Sequence, residues 1–217
     1  GGFIIGLILA LGRRFAITRV LMGLVLAAQS MPTFWSGIMM IMVFGVWLGW
    51  LLLQTLGALV PLAEKRDPAR ARRWREQAET LRLSMETHTW DGDWYRRATF
   101  DDGTWLGAAG SPACCIDSIP QTWAVLSGQA DPNRARRAME SVDSLLVDRE
   151  NDLARLFTPP FGIGPDSGSQ DPGYIAGYPP GLRENGGQYS HAAMWAILAW
   201  ARLGNGARAA ELFATLN

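Results

Sequence analysis

The chain has 217 residues, and its 20 Lys and Arg residues balance its 20 Asp and Glu residues, so the formal net charge is zero. A hydrophobic content of 48% excludes a disordered chain, and the balanced charge argues against nucleic-acid binding. Cys114 and Cys115 are adjacent. This spacing suits neither a disulfide nor a structural zinc site, so we expect two reduced thiols, as is typical of the cytoplasm.

The first 63 residues differ in composition from the rest of the chain. No Asp, Glu, Lys, Arg or His occurs from Val20 to Ala63, and the charges before this stretch are Arg13, Arg14 and Arg19. By length and apolarity, Phe34 to Leu53 passes as a membrane span of ~20 residues. The three arginines would then stay on the cytoplasmic side of a bacterial membrane.

A second interpretation assigns part of this stretch to a soluble domain. Residues 46–64 are apolar nearly all round, as expected of a helix deeply buried inside a large helical domain. Residues 1–45 then remain as a separate apolar segment, either a membrane anchor or a non-native sequence. This second interpretation places a domain boundary between residues 45 and 46, and a purely soluble chain would imply a cytoplasmic protein.

Helices separated by long loops are predicted along the remainder. Asp67-Pro68 and Asp131-Pro132 are helix starts, because Asp caps a helix and Pro suits its first turn. A hairpin turn is expected near residues 100–104. The predicted helices are 68–87, 116–127, 132–147, 188–203 and 207–216. Alternating helices with loops on one face predict an all-α fold, a partial α/α toroid.

The segment from Arg149 to Gly187 has no helical period and is dense in Gly, Pro and Asp. A loop of this length inside a compact domain is usually functional. At its end, the stretch 173–195 contains two prolines and five glycines before an apolar helical pattern begins. We therefore expect the charged and aromatic side chains here to meet a ligand.

These side chains are of the types that bind a neutral sugar. Carboxylates and guanidinium groups hydrogen-bond sugar hydroxyls, as Arg183 and Glu184 would, and aromatic rings cover the apolar ring face. The candidate rings are Tyr174, Tyr178, Tyr189 and Trp195. His191 lies at a predicted helix start, where an anion such as phosphate is favoured. Alternatively, Arg183 and Glu184 only pair with each other and His191 packs under Trp195.

Four blocks of the sequence resemble the inverting disaccharide phosphorylases of glycoside hydrolase family 94, which include cellobiose and chitobiose phosphorylases. Within this family they resemble the phosphorylase-like C-terminal region of the cyclic β-1,2-glucan synthases. The blocks cover Val46 to Asn217 in the family's order and are Trp90 to Ala98, Cys115 to Gly128, Leu156 to Phe161, and Gly177 to Trp195. The resemblance implies that residues 46–217 are part of an (α/α)6 catalytic domain.

The resemblance also implies roles for individual residues. Tyr178, Arg183 and Glu184 match residues that contact sugar hydroxyls, and His191 matches a phosphate-binding histidine. Arg183 stands where cellobiose phosphorylases usually have lysine, whose hydrogen-bond geometry differs. Inorganic phosphate is the implied co-substrate, with no further cofactor and no metal site.

One residue that the family requires is missing. Its general acid is an aspartate in a "GDWNDGMN" block just before the residues that match Val46 to Trp50, and residues 30–45 contain no carboxylate. A second phosphate contact is implied beyond Asn217. We therefore predict a carbohydrate-active chain that acts on β-glucosides or β-glucans with phosphate or glucose 1-phosphate. The alternative is a fragment, membrane-anchored or not, that binds sugar without cleaving it.

Overall fold

The computed structural model describes residues 46–100, 102–162 and 172–216. This part of the chain is mostly helical. Its six α-helices are α1 (Val46–Glu64), α2 (Pro68–His88), α3 (Ser118–Ser127), α4 (Pro132–Leu145), α5 (Ser190–Arg202) and α6 (Gly206–Ala214). The strands are β1 (Ala98–Thr99), β2 (Trp105–Leu106), β3 (Ile116–Asp117), β4 (Val147–Asp148), β5 (Leu153–Ala154) and β6 (Phe157–Thr158).

The apolar segment 1–45 lies outside the described residues, as does most of the predicted span from Phe34 to Leu53. In residues 46–100, 102–162 and 172–216, no helix combines the length and the apolarity needed to cross a bilayer.

Helix α1 packs against α2 and α3 along one face. Trp50 and Leu53 on this face are 0% and 1% exposed, and Trp50 meets Tyr95 edge-on with ring centroids 5.1 Å apart. On the opposite face, Leu59 and Leu62 are 40% and 61% exposed. The expectation that α1 is buried nearly all round is therefore wrong within the described residues, because these residues cover only one face of the helix.

Both predicted Asp-Pro helix starts are confirmed. The side chain of Asp67 accepts a hydrogen bond from the Arg70 amide at 3.0 Å, and Pro68 is the first residue of α2. Asp131 accepts from the amides of Asn133 and Arg134 at the start of α4. These caps form between residues two or three positions apart, so local sequence is enough to predict them.

The short strands form three antiparallel pairs, β1 with β2, β3 with β6, and β4 with β5. The first pair is the predicted hairpin around residues 100–104. The expectation of a helix from Ile116 is wrong by two residues, because Asp117 is extended and pairs with Phe157. The Asp117 side chain accepts a hydrogen bond from the Ile119 amide at 2.7 Å and so begins α3 at Ser118.

Helix α3 is the centre of the described domain, where it contacts α1, α4 and α5. The largest cluster of buried apolar residues includes Val125, Met139, Val142, Trp200 and Leu212. Gln121 on α3 is fully buried, and its amide bonds the backbone N–H and C=O of Tyr95, each at 2.8 Å. Helix α3 therefore packs into the core and also fixes the segment before β1 through the hydrogen bonds of Gln121.

The segment between α4 and α5 contains strands β4 to β6 and a 3₁₀ helix at Gly173–Gly177, with no α-helix in its described residues. The Leu156 carbonyl accepts from the Ser118 amide, and the Leu156 amide donates to the Gly187 carbonyl. These bonds place the segment at the end of the domain where α3 and α5 begin. The prediction that the segment from Arg149 to Gly187 lacks a regular helical period is confirmed for its described residues, apart from this short 3₁₀ helix.

Candidate functional site

The loop from Tyr178 to Gly187 is fixed by Asn185, which is 1% exposed. Its Oδ1 accepts from the Phe161 amide at 2.8 Å, and its Nδ2 donates to the carbonyls of Phe161 and Tyr178 at 3.1 and 2.9 Å. The Asn185 carbonyl in turn accepts from the Gly181 amide at 2.8 Å. One buried side chain therefore sets the position of the residues on either side of it.

The same loop is compact around Arg183 and Gly187. Arg183 has a φ of 49°, in the left-handed region that non-glycine residues rarely adopt. A Cβ on Gly187 would lie 2.8 Å from both the Arg183 amide nitrogen and the Gly181 carbonyl oxygen. This close backbone approach explains why glycine stands at position 187.

A cavity of about 380 Å³ opens beside this loop. Its walls come from the β1–β2 hairpin, the start of α3, the residues around β6 and the loop before α5. The polar lining includes Arg97, Asp117, Tyr174, Glu184 and Tyr189, and the apolar lining includes Phe100, Leu156, Phe157 and Phe161. Hydrogen-bonding groups set among aromatic rings are what a sugar site requires.

Glu184 places an unpaired acceptor on this cavity. Its side chain is 19% exposed, and its Oε2 is buried without a hydrogen-bond donor in the described part of the chain. The nearest cation is the Nε of Arg183 at 3.6 Å, an ion-pair distance that is too long for a hydrogen bond. A buried carboxylate oxygen without a donor is costly, so a hydrogen-bonding ligand would be stabilising here.

The other predicted residues lie next to the cavity and do not line it. The Arg183 guanidinium stacks over the Tyr178 ring at 4.8 Å, and its side chain is 68% exposed. His191 is exposed as the second residue of α5, with its ring 5.4 Å from the ring of Tyr189, a cavity residue. The structure therefore groups Tyr178, Arg183 and Glu184, and it joins His191 to the cavity through Tyr189.

Trp195 has a different position from that expected of a sugar platform. Its ring packs edge-on against Trp123, with centroids 5.4 Å apart, beside the buried residues of the core. Trp195 does not line the cavity, whereas Tyr174 and Tyr189 do. Of the four aromatic rings that were predicted to contact a sugar, two therefore line the cavity, those of Tyr174 and Tyr189.

An ion pair that also lines the cavity was not predicted from the sequence. The Nη1 of Arg97 donates to the Oδ2 of Asp117 at 2.9 Å, and Asp117 is 4% exposed. Burial raises the pKa of Asp117, and the Arg97 guanidinium and the Ile119 amide offset part of this rise. The signal in the sequence that could have identified Arg97 is its position in the block from Trp90 to Ala98, one of the four blocks that resemble the family.

Two further carboxylates in the block from Trp90 to Ala98, and the two thiols, have structural positions. Asp91 accepts from Arg96 and from the Ala109 amide, and Asp93 pairs with Arg137, so both support turns. Cys114 and Cys115 are free, and burial raises the pKa of both thiols. Across residues 46–100, 102–162 and 172–216, no group of three or more His, Cys, Asp or Glu side chains could hold a metal.

The sequence profile of the glycosyl hydrolase 94 superfamily catalytic domain matches residues 35–217. The chain belongs to this family. It is 49% identical over 173 residues to the cyclic beta-(1,2)-glucan synthase NdvB of Rhizobium meliloti (strain 1021). It is 34% identical over 165 residues to the N,N'-diacetylchitobiose phosphorylase of Vibrio furnissii, and 31% identical over 173 residues to the solabiose phosphorylase of Paenibacillus borealis.

These alignments cover most of this chain and little of its relatives. They include 79%, 75% and 79% of the chain, but only 6% of the synthase, 20% of the chitobiose phosphorylase and 22% of the solabiose phosphorylase. The chain therefore spans less than a quarter of the length of each of these proteins. Their activities belong to much longer polypeptides.

Proposed function

We propose that this chain forms a sugar-binding part of a family 94 catalytic domain that acts on β-glucosides with inorganic phosphate as co-substrate. The observation that carries this proposal is Glu184, a largely buried carboxylate that lines a cavity together with tyrosines and whose Oε2 has no donor in the described residues. Similarity to two phosphorylases and a glucan synthase supports the same class of reaction.

Within this site, Tyr178, Arg183 and Glu184 contact the sugar and His191 contacts phosphate. Stacking on Tyr178 restrains the Arg183 guanidinium beside the mouth of the cavity, where it can donate to hydroxyls. His191 is exposed near the first free amides of α5, and an anion is favoured at such a position. Sugar and phosphate thereby meet different side chains on one loop and helix start.

The complete reaction proceeds with inversion. A carboxylic acid protonates the glycosidic oxygen while phosphate attacks the anomeric carbon from the opposite face, giving glucose 1-phosphate; extension of a glucan is the reverse step. The helices of this chain form part of an (α/α)6 toroid. By analogy with the synthase, the substrate is a β-1,2-linked glucan, and the region acts in the synthesis of the cyclic polymer.

A second candidate function is sugar binding without bond cleavage. Residues 30–45, which stand where the family carries its general acid, contain no carboxylate. Without that acid, the glycosidic oxygen has no proton donor when the glycosidic bond breaks. The proposed contacts between Glu184 and the sugar do not depend on the acid and remain. Membrane attachment through residues 1–45 stays a prediction, since these residues lie outside the described part.

Separate titrations by calorimetry with a β-1,2-linked glucose disaccharide and with phosphate test the site. Glu184→Gln should weaken disaccharide binding ~10- to 150-fold and leave phosphate affinity close to unchanged, because a charge-assisted bond is lost at the sugar only. His191→Ala should weaken phosphate binding by a similar factor and spare the disaccharide.

Glu150→Gln is the matched control, since Glu150 is exposed and lies outside the cavity lining. It should change neither affinity. The assignment is wrong if Glu184→Gln and His191→Ala weaken both ligands equally, or if neither changes binding while the fold persists.

A further inference from the structure

The cavity that Glu184 lines is also lined by two charged residues from a distant part of the chain, Arg97 and Asp117. Arg97 immediately precedes β1, and Asp117 ends β3. The pairing of β3 with β6 brings Asp117 beside Phe157, and the Arg97 amide donates to the Leu106 carbonyl of the hairpin at 2.8 Å. Two separate backbone pairings therefore hold the ion pair in place.

Arg97 retains free donors at this position. Its Nη1 bonds Asp117, whereas its Nε and Nη2 have no hydrogen-bond acceptor among residues 46–100, 102–162 and 172–216. Its side chain is 24% exposed. A guanidinium group has five N–H donors in a rigid fork, so Asp117 orients the group and leaves the rest of the fork for a ligand.

The charges of the described lining favour a neutral ligand. Arg97 contributes one positive charge, while Asp117 and Glu184 contribute two negative charges. The Tyr174 ring, which also lines this cavity, is 71% exposed and carries no charge. An anionic ligand here would meet the guanidinium of Arg97, which is already paired with Asp117, and the carboxylates of Asp117 and Glu184. Since like charges at close range disfavour binding, an anion should bind more weakly than a neutral ligand.

We propose that Arg97, oriented by Asp117, is a specificity-determining residue that donates to the hydroxyls of a neutral sugar in the cavity that Glu184 also lines. In the same arrangement, the carboxylate of Asp117 neutralises Arg97 and so disfavours uronic acids in this cavity. This inference rests on the proposed function, because it assumes that the cavity binds sugar.

The test compares methyl β-glucoside with methyl β-glucuronide by ligand-observed NMR titration of the full chain. The unmodified chain should bind the glucoside at least ~10-fold more tightly than the glucuronide. Arg97→Lys, which keeps the charge and loses the fork, should weaken glucoside binding ~10-fold or more. Thermal unfolding of each variant verifies that the fold is retained.

Asp117→Asn gives a readout that a purely structural role would not produce. Asn caps a helix as well as Asp does, so α3 should keep its start. The unneutralised Arg97 should then attract the carboxylate of the glucuronide and reduce the preference for glucoside ~5-fold or more. The control is Asp93→Asn, which removes the carboxylate of an exposed 2.8 Å ion pair with Arg137 and should leave the preference unchanged.

The results separate this inference from the proposed function. If Glu184→Gln weakens glucoside binding while Arg97→Lys has no effect and Asp117→Asn leaves the preference unchanged, only the role of Arg97 and Asp117 is overturned. If the unmodified chain binds neither glycoside, the proposed sugar site and this inference fall together.

Discussion

The side-chain amide of Asn185 pairs with both backbone polar groups of Phe161, accepting from the N–H at 2.8 Å and donating to the C=O at 3.1 Å. Gln121 binds Tyr95 in the same way, with both distances at 2.8 Å. In each case a buried amide replaces the strand partner that an irregular segment lacks. Each of these two segments is therefore held in part by one buried side-chain amide.

Asn185→Ala should lower the free energy of unfolding by about 2 to 4 kcal/mol, because it leaves buried groups of Phe161 and Tyr178 without partners. It should also weaken sugar binding, since Glu184 is the adjacent residue. Urea denaturation and disaccharide titration measure the two effects. The control Asn151→Ala, at an exposed turn, should change stability by less than about 1 kcal/mol. Equal losses in the two variants would contradict the role of Asn185.

Gly187→Ala should destabilise the chain by about 1 to 3 kcal/mol or more. The added Cβ would meet backbone atoms of Arg183 and Gly181 at 2.8 Å, and backbone cannot rotate away as a flexible side chain can. Gly177→Ala is the matched change in the same region, where a Cβ would have no neighbour within 4 Å. Thermal unfolding should show a clear loss for the first variant and little change for the second. If Gly187→Ala left thermal stability unchanged, the backbone around Arg183 and Gly181 would be less tightly packed than the structure shows.

Asp117 should give the chain a stability that falls as pH rises. Burial holds its pKa above the ordinary value in the folded chain, so the folded state binds this proton more tightly than the unfolded state. The contribution is therefore fully present below the unfolded pKa of about 3.9 and is lost as pH rises through the folded pKa. Denaturation at a series of pH values should show that stability relative to Asp117→Asn declines across this window.

Asp148→Asn is the control of opposite sign for that experiment. The Asn151 side chain, followed by backbone amides and Arg155, lowers the pKa of Asp148. Its contribution is present above the unfolded pKa and is lost as pH falls through the folded one. Stability relative to Asp148→Asn should therefore rise with pH or stay flat, and a decline like that of Asp117 would show that burial is not the cause.

The chain should release no glucose 1-phosphate from β-linked glucose disaccharides in phosphate buffer. General-acid assistance contributes typically ~10²- to 10⁴-fold, and no carboxylate occurs from residue 30 to residue 45. An intact family 94 phosphorylase, assayed on its own substrate, serves as the positive control. Turnover comparable to that enzyme would disprove this prediction and the second candidate function with it.

Several features followed from the sequence alone because they depend on near neighbours. Asp67-Pro68 and Asp131-Pro132 cap helices through bonds that reach two or three residues. The long segment before α5 is rich in Gly and Pro and cannot continue a helix. The family assignment likewise followed from ordered motifs, and the profile match to residues 35–217 confirmed it.

Tertiary structure decided which of these residues share a cavity. Arg97 and Asp117 are 20 positions apart and meet through the hairpin and the β3–β6 pairing, and Glu184 lines the same cavity from the loop before α5. The same pairing converted Ile116 and Asp117 from predicted helix to strand. Helix α1 has one exposed face because only its other face contacts the described helices. Such outcomes depend on contacts between distant segments, whose partners and geometry local propensity does not encode.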